Sequence, residues 1–203
     1  MVKTPGRFTP GFGNSSHKAG GGTLFHDSAS KAVYVVNQAT LGASETVMAK
    51  SQFEQWLWDL SAAKVKHYHS DNGVFQAKDF RKACALEGQT QSFSGVNAQF
   101  QNAEAERAIQ TIVYMARYYM IHAALHWGCD EGDDLDLWPL AIDHAAYVYN
   151  LLPQRSSGLS PIEFLTRVKS DHADLRRLHV WGCPVFVLDP KLANGKKIPK
   201  WNR

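Results

Sequence analysis

The feature that most constrains the fold of this chain is a short strand-like segment with helices on both sides of it. Residues 65–70 form this segment, and apolar residues recur at helical spacing over residues 43–63 and 101–127. Residues 23–27 and 32–37 are rich in β-branched and aromatic side chains around a short turn, which predicts a β-hairpin. This order of elements predicts an α/β fold, a mixed sheet flanked by helices.

Two acidic residues occupy positions suited to phosphoryl transfer. Asp71 directly follows the strand-like segment, and Glu106 lies near the start of the predicted helix 101–127. Neighbouring carboxylates repel each other unless a hard cation such as Mg²⁺ or Mn²⁺ neutralises them. A pair of such ions activates the attacking oxygen and stabilises the leaving oxygen of an in-line displacement. We therefore predict that Asp71 and Glu106 are catalytic, metal-binding residues.

A simpler interpretation of these residues stays open. Asp71, Asn72 and Gly73 are also ordinary turn residues, because Asp and Asn side chains bond to nearby backbone and glycine accepts a positive φ. A glutamate on the surface of a helix is common as well. The two acids alone do not establish catalysis.

Further motifs follow one another along the chain from about residue 21 to its end. They comprise residues 70–75, Phe80, Cys84, Gly88, residues 94–96, 101–107 and 137–139, Tyr147, Asn150, residues 152–153, 160–163 and 181–186. Together they resemble the integrase catalytic core of copia-type (Pseudoviridae-like) retrotransposons, which belongs to the RNase H-like superfamily.

The resemblance implies an RNase H-like fold and a site in which two aspartates and a glutamate bind Mg²⁺. Asp71 matches the second acid and Glu106 the third. The first acid belongs to an earlier strand, and no Asp or Glu precedes Asp27. The resemblance places Asp27 one strand too late, so we predict that it is a turn residue. On this resemblance we expect the chain to be truncated at its N-terminus, with the first strand missing or incomplete, and to be inactive alone.

Four polar residues are predicted to contact DNA: Asn72, Asn102, Gln110 and Arg117. Residues four apart share a helix face, so Asn102, Glu106 and Gln110 line up, with Arg117 further along. The resemblance implies that this helix lies against DNA, where such side chains position the duplex without reading its sequence. A merely solvated helix face is the alternative. Glu104 lies about 200° around the helix from Glu106 and cannot share its metal.

Four segments are expected along the chain. Residues 1–22 form an irregular leader, and residues 23–153 form the catalytic core. A linker with a short helix covers residues 154–179, and residues 180–203 begin a truncated C-terminal β module, with a strand over 180–188. A capping box at the start of the short helix is predicted from Ser160 and Glu163.

The distribution of charged and apolar residues indicates which classes of partner the chain is expected to bind. The net charge of +3 is too small to imply a nucleic-acid partner, but lysines and an arginine cluster over residues 191–203, and such clusters bind phosphates. The acidic segment 130–136 would repel DNA. No apolar run approaches the roughly 20 residues that a membrane span needs, so no membrane partner is expected.

Cysteine and histidine spacing gives little sign of a zinc site. Cys84 and Cys183 are predicted to be small buried residues, since no Cys-x-x-Cys pair is present. The one metal-like pattern joins His122, His126 and Cys129, but it lacks a fourth ligand.

Three functions are open from the sequence. The first is an integrase core fragment, descended from an enzyme that processes DNA 3′ ends and transfers strands, with homo-oligomers and a nuclear site of action in a complete copy. The second is a non-catalytic DNA-binding remnant. The third is an RNase H-type nuclease, which the C-terminal motifs do not support.

Overall fold

The computed structural model describes residues 2–5, 19–71, 73–95, 102–127 and 137–185, with the backbone alone for residues 2–5. The strands are β1 (Val2–Pro5), β2 (Gly21–His26), β3 (Val33–Gln38), β4 (His67–Ser70) and β5 (Thr90–Phe93). The helices are α1 (Ala43–Ser61), α2 (Lys78–Leu86), α3 (Ala103–Trp127), α4 (Trp138–Leu151), α5 (Pro161–Thr166) and α6 (Ala173–Arg177). A 3₁₀ turn, Val74–Gln76, precedes α2.

The strands form two sheets rather than the single mixed sheet that the sequence predicts. β1, β2 and β3 pair antiparallel in that order, and β4 pairs with β5 in parallel. β1 has four residues and covers β2 only from Gly21 to Leu24. In the part of the chain that the structure describes, no strand therefore joins β2 to β4, and the mixed α/β character is distributed over two sheets.

Three further expectations need correction. The predicted irregular leader 1–22 contains β1 and the first two residues of β2. The predicted strand 180–188 is absent over residues 180–185, where the chain forms a turn at Trp181 and Gly182; the remainder lies outside the described residues. Within the predicted linker 154–179 a second short helix, α6, follows α5.

Two hydrophobic clusters lie on opposite sides of the β2–β3 hairpin. Leu24 of β2 packs with the buried face of α3 and with alanines of α4. Phe25, the next residue, packs on the other side with α1, β4 and α2. Successive side chains of a strand point to opposite faces, so β2 contributes to both clusters, and β3 does the same through Val33 and Tyr34. None of the helices in the described ranges is both long and apolar enough to span a membrane.

The long helix α3 has the buried stripe that its periodicity predicts. Its buried residues are Ala105, Ala108, Ile109, Ile112, Ala116 and Ala123. On α4, His144 is partly buried and its ring meets that of Tyr119 edge to face, with centroids 5.3 Å apart. Burial lowers the pKa of His144, as is expected of a histidine packed at the edge of the core.

Two of the sequence motifs have structural roles. Asn150 of α4 is buried; its Nδ2 donates to the carbonyl oxygen of Val33 at 2.7 Å, and its Oδ1 accepts from the Val33 N–H at 2.9 Å. This side chain therefore ties α4 to the backbone of β3. At α5 the predicted capping box is confirmed: Ser160 Oγ accepts from the Glu163 N–H, and Glu163 accepts from the Ser160 N–H.

Candidate active site

Asp71 is the first residue after β4, as the sequence predicts. Tyr68 and Ser70 of that strand are buried, whereas Asp71 is exposed. A Cβ placed on Gly73 would lie 3.5 Å from Asp71 Oδ1, so the carboxylate lies over the turn that follows the strand. Asn72 lies outside the described residues, and its contact with DNA stays a prediction.

Glu106 belongs to the first turn of α3 and is half-buried. Its neighbour Ala105 is buried on the core side of the helix. The helix N-terminus carries a partial positive charge, which favours carboxylates such as Glu104 and Glu106 in the first turn.

A cavity of about 580 Å³ lies where the end of β2, the strand β4 and the start of α3 meet. His67, Tyr68 and His69 line it from β4, and Asn102, Glu104 and Ala105 line it from the α3 side. The fold therefore brings together the two elements that carry the predicted catalytic acids. Asp71 and Glu106 are not among the residues that line this cavity; each lies within one or two residues of one that does.

Glu104 is engaged elsewhere. Lys31 Nζ donates to both of its carboxylate oxygens, at 2.9 and 3.0 Å. This hydrogen bond, together with the Lys31 charge, lowers the pKa of Glu104. Burial also lowers the pKa of His26, which lines the same cavity as Glu104. Glu104 is thus a partner of the β2–β3 turn, and the prediction that it does not share a metal with Glu106 is consistent with this contact.

The sequence interpretation missed a hydroxyl and imidazole network beside Asp71. Nε2 of His67 and Nδ1 of His69 lie 2.7 and 2.8 Å from Ser92 Oγ, and His67 Nδ1 lies 2.7 Å from Thr90 Oγ1. Alternation along a strand places His67 and His69 on one face. The spacing of the two histidines would have predicted this shared face, but the serine and threonine partners come from β5.

The predicted polar strip on α3 is only partly present. Gln110 and Arg117 are exposed, but Asn102 is buried just before the helix, where it lines the cavity between β4 and α3. Burial thus separates Asn102 from the exposed Gln110 and Arg117, and its contact with DNA stays a prediction. The same helix also exposes apolar side chains: Val113, Tyr114, Tyr118, Ile121 and Leu125.

The remaining residues singled out from the sequence have the following places in the structure. Asp27 is a turn residue: its Oδ2 accepts from the Ser30 N–H at 2.7 Å and from Ser30 Oγ at 2.6 Å. The ring centroids of His122 and His126 lie 4.2 Å apart. Cys129 lies outside the described residues. Cys84 is buried as predicted, and Cys183 is only half-buried. The acidic segment 130–136 and the basic tail also lie outside the described residues.

The acids present fit a divalent metal by donor type but not by number. Asp71 and Glu106 supply the carboxylate oxygens that Mg²⁺ and Mn²⁺ prefer. Among the described residues, however, no group of three or more His, Cys, Asp or Glu side chains is placed to hold a metal ion. β1, the strand that precedes the hairpin, consists of Val2, Lys3, Thr4 and Pro5 and has no acid. The described residues therefore do not fit the three-acid site that the resemblance implies.

Comparison with solved structures finds retroviral integrases with the same fold. The HTLV-2 integrase catalytic core domain, solved in complex with magnesium in a trimeric form, has a TM-score of 0.56 at 20% identity, covering 77% of this chain and 90% of that chain. For the simian T-cell lymphotropic virus intasome the TM-score is 0.58 at 14% identity, covering 82% of this chain and 51% of that chain. The BIV integrase catalytic core domain has a TM-score of 0.50 at 19% identity, covering 72% of this chain and 91% of that chain.

These similarities show that the chain has the fold of an integrase catalytic core. No protein-family model matches the sequence, and no curated protein matches it either.

Proposed function

We propose that the chain is the catalytic core of a copia-type retrotransposon integrase, which binds DNA but does not process or join DNA ends on its own. The observation that carries this proposal is the position of two acids within an integrase-core fold. Asp71 directly follows β4, Glu106 lies in the first turn of α3, and both elements line one cavity. The motifs that resemble copia-type integrases supply the subfamily.

The exposed side of α3 is the proposed DNA-binding surface. Gln110 and Arg117 supply an amide and a guanidinium, both of which donate hydrogen bonds to phosphate oxygens. Tyr114 and Tyr118, 55% and 68% exposed, lie on the same side of the helix and offer ring faces on which unpaired bases can stack. A duplex or a frayed DNA end on this surface would lie close to Glu106.

The proposed inactivity follows from the number of acids. Metal ions are held by the number and geometry of their ligands, and two-metal phosphoryl transfer needs carboxylates that bridge and flank the ions. Asp71 and Glu106 provide two of the three acids that the resemblance implies. The structure of the HTLV-2 core is a complex with magnesium in a trimeric form, which supports a metal-dependent, oligomeric enzyme when a complete copy assembles.

The test combines DNA binding with a nicking and strand-joining assay in Mg²⁺ or Mn²⁺. We expect salt-sensitive binding of a labelled duplex and no turnover. Arg117→Ala should weaken binding about five- to tenfold and reduce the salt slope by about one. Arg155→Ala, which removes an exposed arginine outside this surface, is the matched control. Turnover that Asp71→Asn abolishes would overturn the inactivity, and absence of binding at low salt would overturn the DNA surface.

Glu106→Gln separates the integrase core from a purely DNA-binding remnant. In a core that holds a metal together with DNA, Mg²⁺ should tighten DNA binding of the parent chain and not of the variant. In a non-catalytic remnant, DNA binding survives the substitution and is indifferent to Mg²⁺.

A further inference from the structure

A second cavity, of about 470 Å³, lies between β3, α1 and α4, with α5 and α6 at its margin. Tyr34 lines it from β3, Trp56 from α1 and Tyr147 from α4. None of these residues lines the cavity between β4 and α3. The two cavities are therefore separate, and this one does not depend on the proposed function.

Aromatic rings form one wall of this cavity. The Tyr34 and Trp56 rings are tilted by 33° with centroids 5.1 Å apart, and Phe53 supports both rings from behind. Tyr147 is half-exposed at the opening. The faces of aromatic rings carry partial negative charge and attract cations, most strongly at tryptophan.

Two carboxylates lie at the same cavity, those of Asp143 and Asp174. Asn37 Nδ2 donates to the two oxygens of Asp143 at 2.9 and 3.0 Å. Neither aspartate forms an ion pair with a described lysine, arginine or histidine, because the acidic partners in those ion pairs are Glu104, Glu54 and Asp171. Among the described residues that line the cavity, two are therefore acidic and none is cationic.

The surroundings of Asp143 disfavour its negative charge. The residue is exposed at the opening, yet burial by the surrounding protein raises the pKa of its carboxyl to about 6, against the opposing effect of the Asn37 hydrogen bond. Burial, and next the charge of Asp143, also raises the pKa of Tyr34. A cation in the cavity would offset both effects.

We propose that this cavity binds an alkylated ammonium group. Aromatic faces and carboxylates together stabilise such a cation, which has a diffuse charge and few or no N–H groups that require acceptors. A metal ion is a poorer fit, since the described residues hold no group of three metal-ligating side chains. The same ammonium chemistry occurs in small molecules such as choline and in alkylated lysine side chains of a peptide.

The test uses the whole chain and follows the Trp56 indole N–H by NMR, assigned with Trp56→Phe. Choline is the probe, and its neutral isostere, with carbon in place of the ammonium nitrogen, is the control ligand. We expect saturable shifts with choline alone. Asp143→Asn should weaken binding at least tenfold, and Asp59→Asn, which alters an exposed aspartate of α1 outside the cavity, should leave it unchanged.

Two peptides that differ only in a trimethylated or an unmodified lysine separate the sources. Tighter binding of the trimethylated peptide than of choline identifies a side chain as the natural ligand, and binding of choline alone identifies a small molecule. Equal shifts with the neutral isostere, or full binding by Asp143→Asn, would overturn the proposal. If Asp143→Asn does not fold, Asp174→Asn and Tyr147→Ala are read in its place, since both lie at the opening.

Discussion

Two residues of the sequence motifs, Asn150 and Glu163, form hydrogen bonds to backbone groups. Asn150, a motif residue with no chemistry of its own, bonds to both backbone groups of Val33. Glu163 caps α5 and also accepts from the Ser170 N–H at 2.8 Å; these backbone hydrogen bonds lower its pKa. Asn150 and Glu163 thus hold the fold together through hydrogen bonds to backbone groups.

Replacing Asp143 by asparagine should change the pH dependence of stability. The carboxyl pKa is about 6 in the folded chain, above the value of about 3.9 expected when it is unfolded. The folded state therefore binds this proton more tightly, and the stability that the proton confers is lost as pH rises from about 4 through about 6. Asp143→Asn removes that loss, so its melting temperature should exceed the parent's by much more at pH 7.5 than at pH 4.5.

Thermal melts across this pH range, with Asp59→Asn as the control, provide the measurement. A difference between Asp143→Asn and the parent that stays constant from pH 4.5 to pH 7.5 would contradict the assignment of the raised pKa to Asp143.

At the scale of elements, the predicted type and length agree with the structure where a helical pattern extends over many residues. The predictions are wrong where a strand depends on pairing with distant residues. α3 was predicted over 101–127 and runs from Ala103 to Trp127. The strand predicted over 180–188 is a turn over its described part; Gly182 there has a φ of +76°, and a Cβ on it would lie 2.8 Å from the Ala123 Cβ of α3. That close approach, rather than strand pairing, explains the glycine in this motif.

The contact between α4 and β3 should depend on the Asn150 amide. Asn150→Leu leaves the N–H and carbonyl of Val33 without their side-chain partner in a buried place, so we expect a loss of about 3 kcal/mol in the free energy of unfolding. Urea denaturation measures it. Gln110→Leu, which changes an exposed amide on α3, is the control and should cost less than about 0.5 kcal/mol. A loss below 1 kcal/mol for Asn150→Leu would show that water replaces the amide.

For the molecule as a whole, the β2–β3 hairpin contributes side chains to both hydrophobic clusters, whose helices differ. Phe80, 1% exposed, packs edge to face against Tyr68 and Phe75 in the cluster of α1, β4 and α2. Phe80→Ala should cost about 3–5 kcal/mol. Because Leu24 and Phe25 are consecutive residues of β2, the loss should also speed hydrogen exchange of the α3 amides. Faster exchange confined to α2, β4 and β5 would show instead that the two clusters unfold independently.

The sequence was enough to place Asp71 after a strand, Glu106 on a long helix and a capping box at Ser160, because each rests on spacing between near neighbours. It could not show that Lys50 of α1 is buried, that Asn102 is buried, or that β4 and β2 belong to different sheets. Those outcomes depend on which side chains meet across the core. Such long-range contacts form only when the chain has folded, and local patterns carry no record of them.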